Sequence, residues 1–382
     1  MDEQNLNRRQ LLGGAMAAGA AGIVGAGAAG PAAAAEAGPT FSDQGPHQAP
    51  PIKDVKDKVA YVTGGSSGIG LGIARALHEQ GAKVIIGNYN DQQFAEALKS
   101  FQPNDPRVAT VVHDVMERDN WERKADEIEK KFGPVDILVN NAGVGLQGQV
   151  VEGSYKDWDW GMGVNFWGPV YGCKTFVPRM RARADQGCHI VTTTSTSGVL
   201  VGLPVGIYAV SKIAATGLME QLRVDLAKTN IGTSTLIPGM TTTNIGRTET
   251  YRPDALKNDT PAPQRPLVGG AQRPGAGAGR PAAPPPAADA GPMWARPQDP
   301  LTVGRLVVNG ILNNDLFIFP APEYRQGVEA RAYAMIESMV PFTPWPANIQ
   351  AGVDAHRYLF TPMYTQEVAH RRATRKRNIK GI

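Results

Sequence analysis

The chain has 382 residues, enough for one large domain or two small ones with a substantial core, and 42% of them are hydrophobic. Its net charge is +4, and part of the excess lies in one run, HRRATRKRNIKGI, at the C-terminus. That run reads as a solvated helix end, with contact to anionic lipid or nucleic acid as the alternative. Two cysteines, Cys173 and Cys188, cannot organise a disulfide scaffold, and no Cys/His pattern has metal-ligand spacing, so no zinc site is expected.

Residues 1–10 carry charges that include the pair Arg8-Arg9, whereas residues 11–35 are uncharged and mostly Ala and Gly. This stretch is long enough to cross a bilayer, but it is weakly apolar and Pro31 interrupts it. Ala33-Ala34-Ala35 and Ala35-Glu36-Ala37 both suit signal peptidase. Asn7-Arg8-Arg9-Gln10-Leu11-Leu12 resembles the twin-arginine consensus of exported bacterial proteins, which implies a signal over 1–37 and a periplasmic protein. An uncleaved signal would instead anchor the chain in the membrane, and a disordered Ala/Gly tail is the remaining alternative. With no cysteine near the cleavage region, a lipoprotein is excluded. Residues 38–56 are polar and Pro-rich and read as a linker.

From Lys58 a regular alternation begins. KVAYVT is a buried strand, Leu71 to Gln80 helix, AKVIIG strand, Asp91 to Phe101 helix, RVATVVH strand, Glu117 to Phe132 helix and VDILVN strand. A long helical region follows over 155–182, then HIVTTTS as strand, Tyr208 to Thr229 as helix and IGTSTLI as strand. Such alternation means a parallel sheet covered on both faces, a doubly wound, three-layer α/β/α single domain over 57–340. Residues 251–300 are rich in Pro, Ala and Gly, lack apolar periodicity, and read as a flexible insertion within that domain. The pattern resumes with LTVGRLVVNGILNN (helix), DLFIFP (strand) and a helix over 323–339. A C-terminal extension over 341–382 holds a Pro-rich stretch and the basic helix.

Thr63-Gly64-Gly65-Ser66-Ser67-Gly68-Ile69-Gly70 lies between the first strand and the first helix. Its glycines permit a tight turn and close approach of a pyrophosphate, and the helix-start N–H groups would face that charge. Asn140-Asn141-Ala142-Gly143 follows the fourth strand, Asn165 stands in GVNFWG, and Ser195 ends the fifth strand. Tyr208-Ala-Val-Ser-Lys212 opens the next helix, with Tyr and Lys on one face. A free tyrosine has a pKa near ~10. A neighbouring ammonium and a positive nicotinamide ring would lower it, so that the phenol could exchange a proton with an alcohol near neutral pH.

This set, with Pro238-Gly239 and Thr243, resembles the short-chain dehydrogenase/reductase superfamily over roughly 56–340, in motif order. The resemblance implies a Rossmann-type fold and an NAD(P)-dependent oxidoreductase that interconverts a secondary alcohol and a ketone. It implies Tyr208 as general acid/base and Lys212 as the group that lowers its pKa and holds the nicotinamide ribose. Ser195 would bind the substrate oxygen, with Ser197 or a threonine of TTTSTS as alternatives, and Asn165 would support a proton-relaying water. Asp114 and Val115 match the adenine contacts. Asn140, Asn141, Ala142 and Gly143 match the cleft wall, Thr243 a residue near the carboxamide, and Pro238 and Gly239 further cofactor contacts. NAD-preferring members place an acidic residue where Asn88 stands. Asn88 would not repel a 2′-phosphate, but no Arg or Lys stands nearby and Asp91 argues the other way. The choice between NAD and NADP therefore stays open, tilted toward NADP.

Tyr155 to Asn165, TFVPRM, and DLFIFPAPEYRQGVEARAYAMIESMVP resemble the branch containing the Cα-dehydrogenases of lignin β-aryl ether breakdown. That implies an apolar or aromatic substrate, although Asn88, the signal and the insertion depart from the branch. A homodimer or homotetramer and no nucleic-acid partner are expected. Outside the cytoplasm no soluble pool re-oxidises the cofactor. An exported enzyme must keep its dinucleotide and pass electrons between two substrates or to a partner protein. A non-catalytic dinucleotide-binding protein is the alternative.

Overall fold

The computed structural model describes residues 47–259, 297–340, 345–358, 362–377 and 379. The stretch read as an export signal, the first part of the linker and most of the Pro/Ala/Gly-rich insertion lie outside the described residues. All described residues fall in one compact unit, Asp43–Ile382.

Seven parallel strands form one sheet: β1 (Val59–Thr63), β2 (Lys83–Asn88), β3 (Val108–Val112), β4 (Ile137–Asn140), β5 (Cys188–Thr193), β6 (Ile231–Leu236) and β7 (Phe317–Ile318). Their spatial order is β3-β2-β1-β4-β5-β6-β7. Neighbouring residues of one strand serve opposite faces. Tyr61 and Ile85 face the core shared with Trp121, Phe176 and Met219, whereas Val62 and Ile86 face the core shared with Leu77, Val303 and Val307. Helices α1 (Gly68–Glu79) and α7 (Pro300–Asn313) cover the second face. Helices α3 (Trp121–Phe132), α5 (Gly168–Arg181) and α6 (Gly206–Leu226) cover the first. Burial on both faces explains why the strands read as unbroken apolar runs. The fold is the three-layer Rossmann type.

Several boundaries differ from the sequence reading. The helix expected over 91–101 is only α2 (Phe94–Leu98), because Asn90 Oδ1 accepts from Gln92 N–H at 3.2 Å and holds the preceding residues in a turn. The 155–182 region is α4 (Tyr155–Met162), a π-turn (Gly163–Trp167) and α5. DLFIFP pairs only at Phe317 and Ile318 before Pro320, which has no N–H for the ladder. A turn at Pro322–Tyr324 leads into α8 (Arg325–Glu337).

Three segment assignments need correction. The described half of the linker belongs to the domain: Ile52 and Val55 are fully buried, and Gln48 Nε2 donates to Leu226 O, Thr229 O and Ile231 O at 3.1–3.3 Å. Two apolar residues in a polar stretch are too short a pattern to register as structure. The flanks of the insertion are folded as well: Gln298 pairs with Thr241, and 251–259 packs on α4. The extension contains two helices, α9 (Ala347–Tyr358) and α10 (Pro362–Ala373).

The basic run is not simply solvated. His370 Nε2 and Arg377 Nη2 meet the buried Asp315 carboxylate at 3.0 and 2.7 Å, and Arg371 binds it too. Burial alone would raise the Asp315 carboxyl, but these three partners hold it below its ordinary value. Buried Glu367 accepts from Leu316 N–H at 3.2 Å, so an acid of α10 and an acid of the domain each find a partner across the contact. Both cysteines are buried and unpaired.

Candidate active site

The chain leaves β1 and β4 toward opposite sides of the sheet, which opens a crevice at their C-terminal ends. Two loops wall it. Gly64 has φ +60°, and a Cβ there would stand 2.8 Å from Ala142 Cα. A Cβ on Gly70 would stand 2.3 Å from Gly64 O, so the turn closes only without side chains. Thr63 Oγ1 accepts from Asn141 N–H at 2.9 Å and Ala142 N–H at 3.0 Å. Asn141 Nδ2 returns bonds to Thr63 O and Gly64 O at 3.2 and 3.3 Å. The loop after β1 and the loop after β4 are therefore one unit.

They border a cavity of about 900 Å³. Of the glycine-rich stretch, Gly64, Ser67, Gly68 and Ile69 line it. Thr63, Ser66 and Gly70 stand behind: Ser66 Oγ donates to Gln93 Oε1 at 3.2 Å, and the other two fix the turn. Asn141, Ala142 and Gly143 line the opposite wall. Asn140, also expected there, is buried under it with Nδ2 toward Thr192 Oγ1 at 3.4 Å.

At one end of the cavity Ser195, Tyr208 and Lys212 come together. Ser195 follows the end of β5 in extended conformation, and its Oγ accepts from Ser197 N–H at 3.1 Å. Within TTTSTS, Ser195 is the residue close enough to the Tyr208 side chain to act on its hydroxyl. Burial raises the Tyr208 hydroxyl above its ordinary value and Ser195 draws it back. Lys212 Nζ donates to Thr193 O at 2.9 Å and lies 5.7 Å from the Tyr208 ring centroid. Burial lowers Lys212 to about 8, so the ammonium that was expected to pull the phenol down is itself drawn toward neutrality.

Asn165 sits in the π-turn and does not line the cavity. Its Oδ1 accepts from Val144 N–H at 2.9 Å, and its Nδ2 donates to Val144 O and Ser211 Oγ at 3.0 Å. Ser211 Oγ donates in turn to Tyr208 O at 2.7 Å. Asn165 thus joins the loop after β4 to the start of α6. Ser211 lay inside the YAVSK motif, but its link to Asn165 is a long-range contact that spacing does not reveal.

The other end is bordered by Asn88, Tyr89, His113, Asp114 and Val115. Asp114 Oδ1 accepts from Met116 N–H at 2.9 Å, and burial raises its carboxyl. His113 meets the Tyr61 hydroxyl at 2.8 Å, and burial lowers it to about 4, so the imidazole is neutral at pH 7. Asn88 Nδ2 is buried and has no partner among the described residues. Pro238, Gly239 and Thr243 close the cavity from the β6 side, where a Cβ on Gly68 would stand 3.0 Å from Thr243 Cγ2. Leu146, Trp160, Val164 and Val205 make the space near Tyr208 mainly apolar.

A nicotinamide dinucleotide fits this donor set. An unfilled N–H donor waits at the ribose end, a side-chain-free turn lies at the middle, and a lysine with protons to spare lies at the far end. A Cβ on Gly143 would meet both Asn165 Oδ1 and Lys212 Nζ, at 3.3 and 3.4 Å, so that wall also requires glycine.

Residues 58–253 match the short chain dehydrogenase family. The chain belongs to that family. It is an oxidoreductase acting on CH–OH donors with a nicotinamide dinucleotide. Among similar proteins, a C alpha-dehydrogenase of Sphingobium sp. is 32% identical over 305 residues, 80% of this chain and 93% of the relative. A short-chain dehydrogenase structure from Novosphingobium aromaticivorans is 30% identical, with TM-score 0.64 over 84% of this chain and 99% of that one. A short chain dehydrogenase/reductase from Burkholderia phymatum, solved in complex with NAD, is 27% identical, with TM-score 0.65 over 77% of this chain and 100% of that one.

Proposed function

We propose that this dehydrogenase interconverts an apolar or aromatic secondary alcohol and its ketone, with Tyr208 exchanging the proton. The observation that carries the reading is the meeting of Ser195, Tyr208 and Lys212 at the apolar end of the cavity, with Lys212 Nζ 5.7 Å from the Tyr208 ring centroid. Bound NAD(P) supplies the hydride acceptor or donor. Ser195 Oγ, already accepting from Ser197 N–H, keeps its own proton for the substrate oxygen or for Tyr208. Tyr208 hands its proton to, or takes it from, that oxygen, and Lys212 holds the ribose. Leu146 and Trp160 exclude water and favour a bulky carbon skeleton, and the similarity to a C alpha-dehydrogenase supports a dehydrogenase at this site.

The neutral Asn88 donor tolerates a 2′-phosphate that a carboxylate would repel, which favours NADP(H). The twin-arginine pattern supports export of the folded protein to the periplasm, or anchoring if the signal stays. The cofactor would then leave the cytoplasm already bound. Its reset would fall to a second substrate or an electron-accepting partner, and a homodimer or homotetramer is the expected assembly.

The test is to purify the protein from the periplasmic fraction of its host, denature it and weigh the released dinucleotide by mass spectrometry. Aryl and alkyl secondary alcohols are then assayed with both dinucleotides. Stoichiometric NADP(H) and turnover of aryl alcohols are expected. Empty protein in that fraction, or turnover confined to small polar alcohols, contradicts the reading.

A further inference from the structure

The segment between Thr243 and Asp259 crosses the cleft from end to end. Thr243 faces Gly68 of the glycine-rich turn, and Thr248 Oγ1 accepts from Gly145 N–H of the loop after β4 at 3.1 Å. The Tyr251 ring meets the ring of Tyr89 at 6.4 Å, beside Asn88 at the ribose end. The chain then runs back to the start of α4. It is therefore a roof over the dinucleotide site, and its hold on the body of the protein determines how readily the cleft opens.

That hold centres on Arg252, whose side chain is only 4% exposed. Its guanidinium makes both of its parallel bonds to Glu249, at 2.8 and 2.7 Å, and so stiffens the roof itself. The same Nη2 reaches Asp157 of α4 at 2.7 Å, Nη1 donates to Leu256 O at 3.1 Å, and the guanidinium lies 4.3 Å over the ring of Trp160. Asp157 is also the acid of the α4 capping box with Ser154, so the anchor is rigid before the roof arrives. Asn258 reinforces the contact, with Nδ2 on Asp157 Oδ1 at 3.0 Å and Oδ1 accepting from Ser154 Oγ at 2.6 Å. Arg252 itself stands outside the cavity and stacks on Trp160, which borders it.

We propose that Arg252, pinned by Asp157 and Trp160, is a latch that keeps this roof closed and retains the dinucleotide from one turnover to the next. The proposal rests on the dinucleotide-dependent reading above. It supplies a physical means by which an exported enzyme would keep a cofactor it cannot replace. Arg252 is a positioning residue and takes no part in hydride or proton transfer.

The test is the release rate of NADPH or NADH from loaded protein, followed by loss of bound-dinucleotide fluorescence after adding excess oxidised dinucleotide. Arg252→Met keeps the apolar stem and removes the fork, and is expected to speed release by about tenfold or more. Hydride transfer in a single turnover of preloaded protein should stay unchanged, a rate that general damage to the fold would lower. Thr248→Val removes the bond from Gly145 N–H and the bond Thr248 Oγ1 donates to Ile245 O, and leaves the charged cluster intact. It is expected to speed release less, and it carries the test should Arg252→Met fail to fold. Release at the wild-type rate in the folded variants overturns the latch alone. A wild type that binds neither dinucleotide overturns the reading on which it rests as well.

Discussion

The two ends of the cleft are built differently. At the Tyr208 end the groups around the phenol are backed: Ser195 by Ser197 N–H, Lys212 by Thr193 O, and the start of α6 by the Asn165–Ser211 bridge. At the adenosine end Asn88 Nδ2 is buried without a partner, and the acid beside it, Asp114, is raised by burial. The first end is preorganised for proton exchange whether or not a ligand is present. The second completes its hydrogen bonding only when something arrives. Under the proposed function, proton exchange falls to the first end and cofactor choice to the one neutral donor at the second.

The largest effect is expected at the fixed end. Tyr208→Phe should lower turnover by about 10²–10⁴-fold and leave dinucleotide affinity unchanged, as read by steady-state rates beside fluorescence titration. At the open end, Asn88→Asp should weaken NADP(H) by about tenfold or more, through repulsion of the 2′-phosphate, and spare NAD(H). Equal losses for both dinucleotides would mean that Asn88 does not face the 2′-position.

Asn165→Ala leaves Val144 N–H and C=O without their side-chain partner, and should cost about 2 kcal/mol of stability by denaturant titration. It should also lower kcat more than it raises KM, because it loosens the start of α6 and does not touch the substrate.

A pH-dependent effect concerns Lys212. Its pKa falls from 10.5 to about 8 on folding, so between those values the unfolded chain binds more protons and stability rises with pH. Below pH 8 the folded state carries the full cost of a buried ammonium. Lys212→Met should therefore be more heat-stable than wild type near pH 7 although less active. The difference in Tm should narrow as pH climbs toward 10.5.

The strand–helix alternation and the residues at the strand ends were legible because each is a local pattern. Glycines follow β1, Asn-Ala-Gly follows β4, and Tyr and Lys share one face of α6. What escaped were contacts between distant segments. Arg252 looks like an ordinary charge in TETYRPD until Asp157 and Trp160 are beside it. Ile52 and Val55 look like linker until the core closes on them, and the C-terminal basic run looks solvated until Asp315 is found beneath it. Asn165 was recognised, but its bonds to Val144 and Ser211 were not, since they join segments that no spacing relates. The burial of the Tyr208 phenol was not legible for a related reason. Burial acts on the phenol and on the lysine together, and only the folded cavity shows how much of each charge is desolvated.

The most direct test of the central claim compares wild type with Tyr208→Phe. Each is pre-equilibrated with NADP⁺ and mixed with an aryl secondary alcohol, and reduced nicotinamide is followed by absorbance. The account predicts equal dinucleotide binding in both proteins and reduction in the wild type alone. Equal reduction rates, or no reduction in either by any alcohol although both bind dinucleotide, would contradict it and leave a dinucleotide-binding protein without this chemistry.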